Sequence, residues 1–209
     1  MDAKVWQDFW DGWLDKDVKQ ETIDVFATGQ CNFLFGLLPE QALKMSAKET
    51  LAILHKRYGK IIDEALSPEN TDISLDSKEL PEKLQSPLSA CPNGTWLKQA
   101  NMVGINVRTI DSFWNVVKYS LTLPSSQNAI HLLPIWEPGV VGSLYGMSSW
   151  RLNVEFFSQE LAELLPHLDT VEKQLRGVVN ILHLAGRAVG IDVVPHTDRF
   201  SEMAFIYPE

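Results

Sequence analysis

The 209-residue chain is 45% hydrophobic and carries 18 basic against 27 acidic side chains, a formal net charge of -9. That composition is globular and excludes collagen-like, low-complexity and wholly disordered architectures. The acidic balance opposes phosphate backbones and anionic bilayers, so no nucleic-acid partner and no membrane partner is expected.

No apolar run reaches the roughly 18–20 residues that span a bilayer. The opening MDAKVWQDFWDGWLDKD lacks the basic-then-apolar order of a secretory signal, so the expected location is cytoplasmic. Cys31 and Cys91 stand far apart in no metal-like spacing and read as two reduced thiols.

Residues 1–66 read as a helical region. Val5, Trp6, Phe9, Trp10, Trp13 and Leu14 recur every three to four residues and form an aromatic stripe suited to core or docking. Thr22 to Leu38 is a second, more apolar stretch. Ser46 with Glu49 three residues on is a capping-box pattern, and Leu51, Ile53, Leu54, Tyr58, Ile61 and Ile62 follow it. Residues 67–100 change character: Pro68, Pro81, Pro87 and Pro92 punctuate a polar segment that reads as a linker or an irregular surface excursion.

From residue 101 to 209 the pattern alternates. Met102–Ile110 is β-rich, and Asp111-Ser112-Phe113-Trp114 opens a short helix. Ala129–Ile135 is a second apolar run, followed by a loop with Pro138, Gly139, Gly142 and Gly146. Asp169 is the expected cap of an amphipathic helix along Val171, Leu175, Val178, Val179, Leu182 and Ala185. A third strand is expected at Ile191-Asp192-Val193-Val194. Strand, helix, strand, loop, helix, strand is the order of parallel βαβ units, so the expected fold class is α/β.

Functional side chains in parallel α/β folds gather where strands end. Two strand ends here are rich in aromatic and ionisable residues: Leu133-Pro134-Ile135-Trp136-Glu137-Pro138 running into Gly142-Ser143-Leu144-Tyr145-Gly146, and Asp192-Val193-Val194-Pro195-His196-Thr197-Asp198-Arg199. No Ser-His-Asp order, nucleophile elbow, phosphate-binding glycine loop or dinucleotide fingerprint is present.

On these residues the stretch from about Asn106 to Arg199 resembles the opening of the catalytic barrel of the α-amylase family of glycoside hydrolases. His131-Leu132-Leu133-Pro134-Ile135 and Gly142-Ser143-Leu144-Tyr145 correspond to the family's second strand and its loop. Asp192-Val193-Val194-Pro195-His196-Thr197 corresponds to its third strand, where His196 replaces an Asn and Thr197 a His. The resemblance implies a partial (β/α)8 TIM-type barrel, its first βα units preceded by the helical N-terminal region, acting on α-glucans by hydrolysis or transfer.

Tyr145, Asp192, His196 and Trp136 are then the candidate substrate-binding residues. Each has a plain alternative: Tyr145 as an anchor of a glycine-rich loop, Asp192 as a structural carboxylate paired with Arg108 or Arg199, Trp136 as packing. His131 and His183 read as core histidines. Asp192, His196 and Asp198 on one loop do not make a metal site by themselves, and a calcium site carries over poorly without the Asn, so no cofactor is expected.

Retaining hydrolysis needs two carboxylates about 5–5.5 Å apart, and the family places its acid and nucleophile on later strands than these. The expectation is therefore a chain without turnover of its own: the N-terminal portion of such an enzyme, or a non-catalytic carbohydrate-binding or protein-interaction relative with a degenerate barrel. A complete barrel takes about 250 residues. An incomplete one exposes strand edges, so its expected partners are an oligo- or polysaccharide and either a second copy or the remaining barrel half.

Overall fold

Ser46 sets the first well-defined helix. Its hydroxyl accepts the Glu49 backbone N–H, and its own N–H donates to the Glu49 carboxylate at 2.7 Å, a complete capping box. The computed structural model describes residues 39–74, 79–89, 94–194 and 197–206. The aromatic stripe of residues 5–14, the stretch 22–38, both cysteines and His196 lie outside the described residues.

Helix α1 (Pro39–Leu43) precedes α2 (Ala47–Tyr58), which buries Ala47, Thr50, Leu51 and Leu54. The helix expected to run on through Ile62 stops instead at Gly59, whose N–H donates to the His55 carbonyl at 2.8 Å. Ile61 and Ile62 belong to a separate short helix, α3 (Ile61–Ala65), and Ser67 then caps α4 (Pro68–Thr71). Within the stretch expected to be irregular, Glu82–Leu84 forms a 3-10 turn that buries Leu84 in the core, and the Leu84 carbonyl bonds to His183 Nδ1 at 3.0 Å.

Strand β1 (Met102–Ile105) is shorter than its β-rich sequence implies. Asn106 accepts the Arg108 N–H and starts a helical turn, α5 (Val107–Ile110), which ends the strand. Helix α6 (Phe113–Ser120), capped by Ser112, leads to β2 (Ala129–Leu132). A hairpin of β3 (Trp136–Pro138) and β4 (Met147–Leu152) follows, then α7 (Gln159–Leu164) and α8 (Val171–Leu184).

Helix α8 is capped by Thr170, which accepts the Lys173 N–H; the expected cap, Asp169, instead pairs with Lys173 Nζ at 2.7 Å. At its far end Gly186 takes φ of 73°, a left-handed conformation that glycine adopts without penalty. The Gly186 N–H reaches the His183 carbonyl and the Arg187 N–H that of Leu182, closing the helix in a Schellman turn. The chain therefore enters β5 (Ala188–Ile191) three residues before the position expected for the third strand. Helix α9 (Glu202–Ile206) is the last described element.

The fold is α/β. Strands β1, β2 and β5 form a parallel sheet in that order, with Gly104, His131 and Gly190 side by side in one row. Strand alternation divides the faces. Ile105, Ile130 and Leu132 enter a core with Phe113, Trp114, Val117, Val178, Ile181, Leu182 and Phe156, while Val103 and Val189 pack against it. Phe113 and Phe156 meet edge to face at 5.4 Å. The row of Gly104, His131 and Gly190 falls on the opposite face.

Two polar features tie the layers. Glu160, at the start of α7, accepts the Ala47 N–H of α2 at 2.6 Å and faces the buried Lys118 of α6 at 3.6 Å. Arg187, 2% exposed, donates to the carbonyls of Gln127 and Leu123 at 3.1 and 3.0 Å.

Candidate functional site

The C-terminal ends of β2 and β5 converge on the β3–β4 hairpin. Pro134 has no N–H to continue the ladder, and past it the chain turns into β3. The hairpin loop closes through Gly139 N–H to the Gly146 carbonyl (2.7 Å) and Gly142 N–H to the Gly139 carbonyl (2.8 Å). The segment after β5 returns to this hairpin: Thr197 bridges Met147, and Asp198 N–H donates to the Met147 carbonyl at 3.0 Å. Asp198 packs so closely on Gly139 that any Cβ there would overlap its side chain.

The result is a cleft of about 460 Å³ lined by Val141, Ser143, Tyr145, Gly146, Thr197, Asp198 and Arg199. Tyr145 is 51% exposed, so its ring is available at the cleft. Ser143 Oγ accepts the Tyr145 N–H at 3.2 Å, fixing the loop beneath the ring. Asp198 Oδ1 accepts the Phe200 N–H at 3.0 Å, which orients its carboxylate.

A second group gathers at the end of β5. Trp136 Nε1–H donates to the Asp192 carbonyl at 2.9 Å and meets Trp150 edge to face at 5.0 Å. Asp192 N–H donates to the Leu132 carbonyl, extending the β2–β5 ladder by one residue. The Asp192 carboxylate lies 4.0 Å from His131 Nε2. Arg108, one of its expected partners, binds Glu155 and the Gly142 carbonyl instead.

Of the four candidate residues, Trp136 and Asp192 are in contact, Tyr145 lines the neighbouring cleft, and His196 lies outside the described residues. His131 corrects an expectation. It is no core histidine, since it lies on the sheet face opposite the core; His183, partly buried, is bonded to a carbonyl, and burial pushes its pKa down. The signal for His131 was the alternation Ile130-His131-Leu132, which sends it to the face opposite its apolar neighbours.

Glu137 receives hydrogen bonds from Ser149 Oγ at 2.7 Å and Arg151 Nη2 at 3.1 Å, and Arg151 also binds Glu202 of α9. The Ser149 hydrogen bond, the largest influence, holds the Glu137 carboxyl below its usual range; burial opposes it, and the Arg151 guanidinium adds to the lowering. Glu137 is thus fixed as an acceptor and is unsuited to donate a proton. Because a depressed carboxyl binds fewer protons folded than unfolded, its contribution is complete above the ordinary value of about 4.3 and fades as pH falls below it. The protection of α9 amides, taken relative to the intrinsic exchange rate at each pH, is expected to fall below about pH 4, and Glu137→Gln is expected to lessen that pH dependence; protection unchanged down to pH 3 would show that the network does not hold α9.

Among the described residues, no group of three or more His, Cys, Asp or Glu could hold a metal ion, and no helix is long and apolar enough to cross a membrane. Comparison of the chain with protein-family models, with curated proteins and with solved structures returned no match.

Proposed function

We propose that this protein binds an α-glucan, and that residues 101–209 are the first βα units of an α-amylase-like barrel without the acid and nucleophile of that family. The observation that carries the reading is the cleft beside Tyr145: an exposed aromatic ring flanked by the hydroxyls of Ser143 and Thr197 and the charged ends of Asp198 and Arg199. Sugars present apolar C–H faces rimmed by hydroxyls, which an aromatic platform with polar groups at its edge complements. The strand order supports the barrel: each parallel strand lies beside its predecessor in sequence, and the candidate residues cluster past the C-terminal ends of β2 and β5.

Maltoheptaose titrated calorimetrically into the protein is expected to bind, while cellohexaose gives no heat, and neither sugar is cleaved. Tyr145→Ala is expected to weaken maltoheptaose about tenfold, or 1.4 kcal/mol, in line with loss of an aromatic contact. Equal affinity in wild type and Tyr145→Ala, or equal binding of both glucans, would overturn the reading.

A protein partner is the second reading. It is favoured by Val140, Val141, Val193 and Phe200, all exposed around the same end of the sheet, and by the outer edge of β5, which pairs with no strand among the described residues. Absence of any sugar binding together with concentration-dependent self-association would support it.

A further inference from the structure

Resting on the α-glucan reading, we infer that His131 is a sugar-binding residue of this site, one ligand hydroxyl bridging its Nε2 and the Asp192 carboxylate. His131 Nε2 and Asp192 Oδ2 are 4.0 Å apart, beyond a direct hydrogen bond. Yet an oxygen placed about 2.8 Å from each would bond both at an angle of roughly 90°. A hydroxyl suits that gap, because it accepts from the imidazole Nε2–H while donating to the carboxylate.

The surroundings hold the gap in place and leave it reachable. Trp136 fixes the Asp192 carbonyl at 2.9 Å and the Leu132 carbonyl receives its N–H at 3.0 Å, so the carboxylate projects from a main chain pinned on both sides. His131 stands between two glycines in its row, Gly104 and Gly190. A Cβ at Gly190 would lie 3.0 Å from His131 Nδ1, so glycine there leaves room for the ring. Both partners remain about one-third exposed, His131 at 34% and Asp192 at 30%. An apolar or aromatic ligand could not satisfy this donor–acceptor pair; a polyol can.

The test is a maltoheptaose titration of protein labelled with nitrogen-15 in histidine. The His131 Nε2 resonance is expected to shift with the bound fraction. His131→Ala should weaken binding about tenfold, and His131→Gln, whose amide N–H replaces the imidazole donor, should recover most of that loss. Gly190→Ala should move the ring resonances of the unliganded protein and weaken binding as well.

If maltoheptaose binds wild type and His131→Ala equally and the ring resonances stay still, the role of His131 falls while the glucan reading stands. If wild type binds no maltoheptaose, both fall.

Discussion

Trp114→Ala is expected to lower the free energy of unfolding by about 4 kcal/mol, within the range for emptying an aromatic site in a core. Trp114 is fully buried at the start of α6, among the apolar side chains that α6 and α8 share with the sheet. Alanine removes most of its contacts and leaves a cavity that rigid neighbours fill only in part. The indole N–H has no hydrogen-bond partner among the described residues, and an orphaned buried donor costs on the order of 1–3 kcal/mol. Trp114→Phe discards that donor along with one ring, so its penalty should be no more than about half that of alanine. Urea unfolding followed by circular dichroism checks both variants. Equal destabilisation by alanine and phenylalanine would show that a benzyl ring recovers none of the packing at this site.

Arg187→Met is expected to cost about 3 kcal/mol, although methionine fills a similar volume. The guanidinium fork satisfies the carbonyls of Leu123 and Gln127 in the connection from α6 to β2. Removing it strands both acceptors at a site where Arg187 itself is almost wholly inaccessible. Burial, opposed by nearby Tyr58 and helped by the like charge of Arg57, pushes the Arg187 pKa down to about 10. Arg187→Lys keeps the charge but loses the planar fork, so it should fall between wild type and Arg187→Met. Thermal unfolding and amide exchange over residues 121–128 read the effect. A methionine variant as stable as wild type would show that the connection rearranges to re-pair its carbonyls.

Local signals in the sequence carried α2, α6 and α8. The Ser46–Glu49 capping box is present as expected, because both halves of that device lie within four residues. Competition between neighbours was harder to read. Asp169 and Thr170 are both competent caps, and the choice fell to Thr170 once Asp169 was engaged by Lys173.

The position of β5 depended on Gly186 ending α8, a contest between a continuing apolar pattern and a left-handed turn. The sequence shows only a loop through Pro138 to Gly146 where the β3–β4 hairpin forms, because Met147-Ser148-Ser149-Trp150 lacks clean alternation; contacts with Thr197 and Asp198, about fifty residues away, support the pairing. The site divides in the same way. Tyr145, Trp136 and Asp192 stand at strand ends that the sequence already marks. That His131, rather than Arg108, faces Asp192 depends on two strands meeting in one register, which no single stretch of chain encodes.

The order β1, β2, β5 bears on how the protein is made. β2 pairs with β1, and β5, which follows the β3–β4 hairpin and two helices, pairs with β2, so no central slot of this sheet waits for a later strand. That order permits lateral assembly, with α6 and then α8 covering the apolar face. Such a sheet can be built from one edge outward, each of its strands the template for the next one that joins it.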